Sequence, residues 1–303
     1  MGSFSGLSIA ISGIFAQQRS LNTVGHNISN VNTPGYSRQT AIHSTTAPMR
    51  LGYTAAGNIL SKGTGVDAVL VMQYRDEFLD NKIRNNNQEL GYWEALQAGV
   101  EDLEGIFNDY TEEGIQSAMN NFWYAWDQPS KPKGRTNSRA LVKESAIALV
   151  EALKNTDKLL KDYRADKDRE ITETIDRINQ ITKRIAELND MILKIEATGS
   201  YANDFRDERN LLIDELSTLA KIQVIGSKSV TILMEGRAIV DGKFVEELKV
   251  VPDPEKNGMA KLVWAGDNQT AVISGGKLKA LFDTRDDLVD RFRNRLNEMI
   301  IGL

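Results

Sequence analysis

Isoleucine recurs at every seventh position from Ile171 to Ile192, and further apolar residues follow three positions behind. The full set is Ile171, Ile178, Ile181, Ile185, Leu188, Ile192 and Ile195. This spacing predicts a long helix that packs one apolar face against a partner. The pattern ends at residues 198–200 and resumes at Phe205. We therefore expect the chain to fold back here as a hairpin of two antiparallel helices.

Most of the remaining sequence is also typical of helices. Apolar residues keep three- and four-residue steps from about residue 75 to 221, and short alternating apolar runs follow up to residue 274. The predicted fold class is α+β, mainly α, with a long antiparallel helix bundle, a small antiparallel β-element, and an N-terminal helix plus extended arm. The expected domains are an arm (1–66), a helical body (67–221), a β-rich element (222–274) and a helix returning to the body (275–303).

Two details of the helical body are expected from the pattern. The charged interval 164–170 separates the isoleucine positions from an upstream apolar seam, so the packing register should shift there. A short aromatic helix precedes Pro129 and Pro132, and we expect its Trp123 and Trp126 to pack in the core. An aromatic stripe with helical spacing is more often core than a ligand site.

Composition excludes several classes of function. The net charge is −5, and the segment before Asp67 carries +4 without any acidic residue, which leaves −9 for the rest. Nucleic-acid binding normally requires a concentrated basic patch, and the sequence does not contain one. Cysteine is absent, and His26 and His43 lack companions at metal-ligand spacing, so we expect no metal and no cofactor. No run is apolar enough to predict a membrane span or a cleavable signal peptide.

The first helix carries a seven-residue apolar repeat. Its seam residues are Phe4, Leu7, Ile11, Ile14, Leu21 and Ile28. The simplest interpretation is an amphipathic helix packed on its own domain. However, the segment 29–65 is rich in Ser, Thr, Asn and Gly and indicates an extended connector, which places the helix far in sequence from any core. We therefore favour a partner helix for this seam.

A turn follows the first helix. Pro34 cannot donate a backbone hydrogen bond and restricts Thr33 to extended geometry, while Gly35 accepts the positive φ that a type II turn requires. Asn30 and Asn32 suit a helix end because asparagine tolerates left-handed geometry. The helix must end before this turn.

One motif in this region resembles a known family. Its residues are Asn27, Asn30, Asn32, Thr33, Gly35, Tyr36 and Arg38. A helix with an apolar repeat followed by this motif resembles the N-terminal motif of the bacterial flagellar rod, hook and hook-associated axial proteins. The segments 112–142 and 203–224, and the helix after Gly275, resemble the hook-associated members. The resemblance implies export without a cleavable signal by the flagellar type III apparatus, and pairing of the first helix with a C-terminal helix of the same chain.

The resemblance also implies a function. The chain would be a secreted structural subunit that joins hook to filament by self-assembly at the extracellular junction. Its partners would be identical subunits, the hook protein, a second hook-associated protein on the filament side, and an export chaperone, without nucleic acid or membrane. Residues 299–303 stop within an apolar helical pattern. We therefore expect an N-terminal fragment whose arm is unpaired or docked on a neighbouring molecule.

Three alternatives remain at this stage. Another axial protein of the hook or distal rod would share the opening motif but would turn to β-structure soon afterwards. A cytoplasmic coiled-coil adaptor would share the seams without needing the turn motif. An enzyme that uses serine, His26 and a carboxylate is the weakest alternative, because the sequence gives no spacing that brings these groups together.

Overall fold

The structure is a computed structural model that describes residues 3–53, 55, 57–107, 114–127, 138–256 and 258–302. Long helices dominate it, which confirms the predicted fold class. The helices are α1 (Ser3–Ser29), α2 (Glu77–Phe107), α3 (Ile115–Asp127), α4 (Ser138–Glu196), α5 (Asn203–Leu219), α6 (Gly276–Asp283) and α7 (Val289–Gly302), with a π-helical turn (Thr284–Leu288) between the last two.

The strands form four small antiparallel sheets in the described part of the chain. They are β1 (Gln39–Thr45), β2 (Met49–Tyr53), β3 (Ile59–Lys62), β4 (Val66–Gln73), β5 (Gln223–Ile225), β6 (Thr231–Met234), β7 (Arg237–Asp241), β8 (Phe244–Val245), β9 (Leu248–Asp253) and β10 (Met259–Trp264). β1 pairs with β4 and β2 with β3 in the arm. Beyond α5, strands β5 to β8 form one sheet in sequence order, and β9 pairs with β10. The alternating runs after residue 222 therefore do form strands.

The connector after α1 differs from the expected extended chain, because it folds into two antiparallel hairpins. β-branched residues cluster in β4, where Val66, Val69 and Val71 favour a strand that can pair with β1. Ala68 on this strand is buried against α1. The pairing links residues more than twenty positions apart, and it carries the sheet of the arm past the expected domain boundary after residue 66.

Helix α4 is continuous over 59 residues and contributes to every core cluster of the described chain. Its isoleucines from 171 to 192 are almost fully buried against α5, α6 and the strands after α5. Upstream, Leu160 packs with Leu103 of α2, while Leu149 and Leu153 pack with α3 and α7. The charged interval 164–170 separates these two groups of contacts, in agreement with the predicted change of register.

A buried arginine fills the position opposite this charged interval. Arg285 lies in the π-helical turn and is 1% exposed. Its guanidinium donates to Asp168 of α4, to Asp286 at 2.7 Å, and to the Ala260 carbonyl of β10 at 2.8 Å. Burial lowers the pKa of Arg285, but the hydrogen bonds to Asp286 and Asp168 outweigh it and raise the pKa overall. Arg285 thus joins α4, β10 and the α6–α7 turn.

Several aromatic residues lie outside the expected core. Trp123 and Trp126 of α3 are half exposed or more, while Phe122 of the same helix packs against the α4 core. On α2, Leu90 and Trp93 are also exposed. The reason is that α2 turns another face inward, where Arg84, Gln88, Gly91, Gly99 and Leu103 are buried. Polar pairing and close backbone contact, rather than apolar spacing, decide which face of α2 is covered.

Candidate assembly surface and arm junction

Helix α1 lies on the β1–β4 sheet through a face of small and polar side chains. Ala16 and Thr23 on this face are buried. The backbone N–H of Val66 donates to Ser12 Oγ at 3.3 Å, and Lys62 Nζ donates to Ser5 Oγ at 2.8 Å. Small side chains let the helix approach the sheet closely. The helix is therefore held to its own arm without burying the seam residues Leu7, Ile14, Leu21 and Ile28.

The opposite face of α1 is apolar and exposed; we call it the seam face. The predicted seam residues with described side chains are exposed by 41% to 71%: Leu7, Ile11, Ile14, Leu21 and Ile28. The side chain of Phe4 lies outside the described part. A helix that turns its polar face inward and its apolar face outward leaves a continuous apolar surface without a cover, and such surfaces mark interaction sites.

Three further residues widen the seam face and were missed by the sequence analysis. Phe15, Val24 and Val31 are exposed by 63%, 50% and 73%. Val24 stands three positions after Leu21, so the same helical step could have identified it, whereas Val31 lies in the turn just beyond the helix end. The seam face is thus broader than a strict two-position stripe.

The motif residue Asn27 clamps the end of α1 to the start of β1. Its Nδ2 donates to the carbonyl of Gln39 at 2.8 Å, and its Oδ1 accepts from the Gln39 N–H at 2.9 Å. The hydroxyl of Tyr36 also donates to Asn27 Oδ1, at 2.8 Å. An amide side chain is suited to this role because it both donates and accepts.

The predicted type II turn is confirmed by its geometry. The N–H of Tyr36 donates to the Thr33 carbonyl at 3.2 Å, and Gly35 has φ +80°. A Cβ on Gly35 would also lie 3.0 Å from Leu211 Cβ of α5. Asn30 closes the helix end by donating from Nδ2 to the His26 carbonyl at 3.0 Å. Glycine is required here both by backbone conformation and by close approach to the body.

The other motif residues flank this turn. Asn32 is exposed within it, and Thr33 Oγ1 donates to Asn30 Oδ1 at 3.3 Å. Burial, followed by the nearby charges of Asp204 and Asp207, raises the pKa of Tyr36. The exposed Arg38 guanidinium lies 5.5 Å from the centre of the Tyr74 ring.

The arm is docked on the body through Asp207 of α5. Its carboxylate accepts the Ser37 N–H at 3.0 Å and the Gln73 side-chain amide at 2.8 Å, so one residue binds the segment before β1 and the last residue of β4. Nearby, Asn203 Nδ2 donates to the Val71 carbonyl at 2.8 Å. Burial raises the pKa of Asp207, although the hydrogen bonds from Ser37 oppose this shift. Sequence reasoning marked Asp207 only as part of a family resemblance and did not assign this contact.

We expect Asn27→Ala to loosen the junction between α1 and β1. The substitution removes three hydrogen bonds and leaves the Gln39 backbone groups without their partner, which should cost about 1–3 kcal/mol of local stability. Amide hydrogen exchange at Gln39 and along α1 should become faster, while exchange in α4 and α5 should stay the same. Asn22→Ala, at an exposed position of the same helix, is the matched control. Equal exchange in both variants would contradict the clamp.

Histidines and acidic side chains are the groups from which this chain could build a metal site. The described residues contain no group of three or more His, Asp or Glu side chains arranged to hold a metal ion. His26 Nδ1 lies 3.0 Å from the Tyr36 hydroxyl, and His43 Nε2 lies 2.7 Å from Ser20 Oγ, so both histidines tie α1 to the chain that follows it. Within the described residues, no helix combines the length and apolar character needed to cross a bilayer.

The fold and the arm junction define a class of protein, the flagellar axial proteins. Residues 7–36, which hold most of α1 and most of the turn motif, match the sequence family of the flagella basal body rod protein. Residues 100–303 match the helical domain of the flagellar hook-associated protein FlgK. This match covers more than half of the chain. The chain therefore belongs to the flagellar hook-associated protein FlgK family, and the family resemblance is confirmed.

Individual relatives agree with this assignment. The chain is 28% identical to flagellar hook-associated protein 1 of Bacillus subtilis, over 89% of this chain and 55% of the relative. It is 30% identical to flagellar hook-associated protein 1 of Salmonella typhimurium, over 97% of this chain and 54% of the relative. Flagellar hook-associated protein 1 of Escherichia coli is 28% identical, over 97% of this chain and 54% of the relative. The chain thus spans about half the length of the curated relatives it matches.

A solved structure shares the fold. The flagellar hook junction protein FlgK from Burkholderia pseudomallei superposes with a TM-score of 0.62 at 22% sequence identity. The match covers 71% of this chain and 41% of that one. At this identity the likeness supports the architecture alone.

Proposed function

We propose that this chain is a structural subunit of the bacterial flagellum that joins hook to filament, and that it assembles through the seam face of α1. The observation that carries the proposal is the orientation of α1. Its polar face packs on the arm's own sheet and is hydrogen-bonded to it. Its apolar face is exposed at Leu7, Ile14, Leu21 and Ile28. Burying such a face in a partner helix would be favourable, at about 25 cal/mol per Å² of apolar surface.

The arm junction supports this proposal because it fixes the direction of the seam face. Asn27 holds α1 to β1, and Asp207 holds the arm to α5. A subunit of a regular tube needs a repeatable angle between the assembling helix and the outer body. We propose that the turn motif sets this angle.

The relatives' names supply the rest of the proposal. They are hook-associated proteins, and one solved neighbour is titled a hook junction protein. We infer that the chain acts outside the cell at the hook–filament junction, as a structural rather than catalytic component. Its proposed partners are copies of itself, the hook protein, the second hook-associated protein on the filament side, and an export chaperone.

The domain organisation is part of the proposal. An arm would form the inner assembly region, the segments 67–221 and 275–303 would form the helical body, and the segment 222–274 would add the β-rich element. Because β4 pairs with β1, the structural unit of the arm extends to Gln73.

The experiment places a charge on the seam face of the full-length protein in flagellated cells. Ile14→Asp and Leu21→Asp lie at exposed positions, so each should change folding stability by no more than about 0.5 kcal/mol. In contrast, filaments should fail to form on completed hooks, because the buried interface would then contain an unpaired carboxylate. Deleting residues 1–40 gives the reference for complete loss.

Asn86→Asp is the matched control, since it adds the same charge at an exposed position of α2, away from the seam face. It should preserve filament growth. Normal filaments on cells that carry Ile14→Asp and Leu21→Asp together would rule out the seam face as the assembly surface.

A further inference from the structure

A polar pocket of about 260 Å³ lies where the arm, α2, α5 and the β-rich element meet. Its wall contains four arginines: Arg75, Arg84, Arg206 and Arg209. Two acidic residues, Glu77 and Asp80, also line it. The assembly role proposed above makes no use of this pocket.

Three of the four arginines are neutralised by carboxylates. Arg75 pairs with Asp80, and Arg84 Nε donates to Asp214 at 2.8 Å. Arg206 forms two hydrogen bonds to Glu196. These pairs are complete within the protein.

Arg209 is different, because its hydrogen bonds go only to neutral acceptors. Its guanidinium donates to Asn189 Oδ1 at 2.8 Å and to the carbonyls of Ser227 and Lys228 at 2.7 and 2.9 Å. The residue is 2% exposed, and within the described chain its Nε is buried without a hydrogen-bond partner, while Glu196 and Glu77 act on its charge without a direct bond. Burial, followed by the charge of Arg206, lowers the pKa of Arg209 to about 10. At neutral pH it remains charged.

A buried charge without a counter-charge is unfavourable, and an anion placed nearby removes part of that cost. Guanidinium groups match the oxygens of phosphate and related anions in both charge and geometry. We propose that this pocket binds a multivalent oxyanion such as phosphate, which supplies the negative charge that Arg209 lacks. The bound anion would link residues of the arm, α2 and α5, and so stabilise the docking of the arm on the body.

The test measures thermal unfolding of the 303-residue chain in inorganic phosphate and in sodium chloride of equal ionic strength. Phosphate at about ten times its dissociation constant should raise the Tm by roughly 3 °C. Sodium acetate, a monovalent oxyanion, should raise the Tm less at the same concentration. An equal rise in acetate would contradict the multivalent ligand, and no rise above chloride would overturn the site.

A built-in carboxylate gives the sharper comparison. Asn210 lines the pocket, and its Oδ1 already accepts from Arg84 Nη2 at 3.3 Å. Asn210→Asp should strongly reduce the response to phosphate, because it places a carboxylate in the pocket wall that repels the anion. Asn86→Asp, at an exposed position of α2, adds the same charge elsewhere and should keep the full response.

Arg206→Gln is a second variant that leaves Arg209 in place. It should weaken the phosphate response several-fold, because Glu196 loses its partner and its unpaired carboxylate then repels an anion in the pocket. Arg209 itself is kept, since its bonds to Ser227 and Lys228 hold the chain after β5. A phosphate response of equal size in the wild type, Asn210→Asp and Arg206→Gln would overturn the proposal.

Discussion

Gly91→Ala is expected to lower the free energy of unfolding by roughly 3 kcal/mol, the upper end of the usual cost of overpacking. A Cβ at this position would lie 2.2 Å from the backbone oxygen of Thr218. A backbone atom cannot rotate away as a side chain can, so α2 must move away from the end of α5. The same movement would disturb Gln88, which donates to the Ile222 carbonyl at 3.0 Å.

Gly105→Ala provides the control on the same helix. Among the described residues, no atom outside the nearby backbone of α2 itself lies within 4 Å of the Cβ that it would introduce. Alanine has the higher helix propensity, so this variant should be more stable than the wild type by up to about 1 kcal/mol. Urea denaturation of both variants measures the contrast. A Gly91→Ala protein as stable as the wild type would show that α2 and α5 do not approach this closely.

Arg285→Gln is expected to have a similar or larger effect, with a loss of about 3–5 kcal/mol. The substitution leaves the carboxylates of Asp168 and Asp286 without their shared cation in a largely covered position. It also removes the donor to the Ala260 carbonyl. Arg291→Gln is the matched control, because Arg291 is exposed and pairs with Asp287 of its own helical turn. This control should change stability by about 0.5 kcal/mol or less.

The dependence of stability on pH provides a second measurement for Arg285. Burial alone would raise the pKa of Asp286, but the hydrogen bonds from Arg285 and Lys256 lower it below the ordinary 3.8. A carboxyl group whose folded pKa is lowered stabilises the protein above its unfolded pKa, and this stabilisation is lost as the pH falls through 3.8 toward the folded value. In Arg285→Gln the lowering should be smaller. Its stability should therefore decline less steeply in that acidic range than the stability of the wild type.

The helical part of the fold could be predicted from sequence because its signal is local and periodic. The isoleucines of α4 repeat at helical steps, and those from Ile171 to Ile192 are buried as predicted, whereas Ile195 at the helix end is only half-buried. Arg285 could not be predicted in the same way. Its burial depends on Asp168, far away in sequence, and on a β-strand carbonyl. Such contacts between distant segments leave no periodic pattern.

In the arm too, local features could be predicted from the sequence, whereas contacts between distant segments could not. The turn at Thr33, Pro34 and Gly35 follows from the conformational limits of proline and glycine, and its geometry is as predicted. The pairing of β1 with β4 was missed, because pairing of distant strands depends on the tertiary fold. The orientation of α1 also required the structure, since an amphipathic helix ordinarily buries its apolar face in its own domain.

Helix α4 has a consequence for how the molecule loses its structure. Its 59 residues extend over about 90 Å. One end packs with α2, α3 and α7, the other with α5 and the strands, and the ion pairs of the interval 164–170 lie between. Regions of a protein that share few apolar contacts open with separate free energies. We therefore expect the two ends of α4 to open as separate units, with amide hydrogen exchange faster in its N-terminal end than in its isoleucine half.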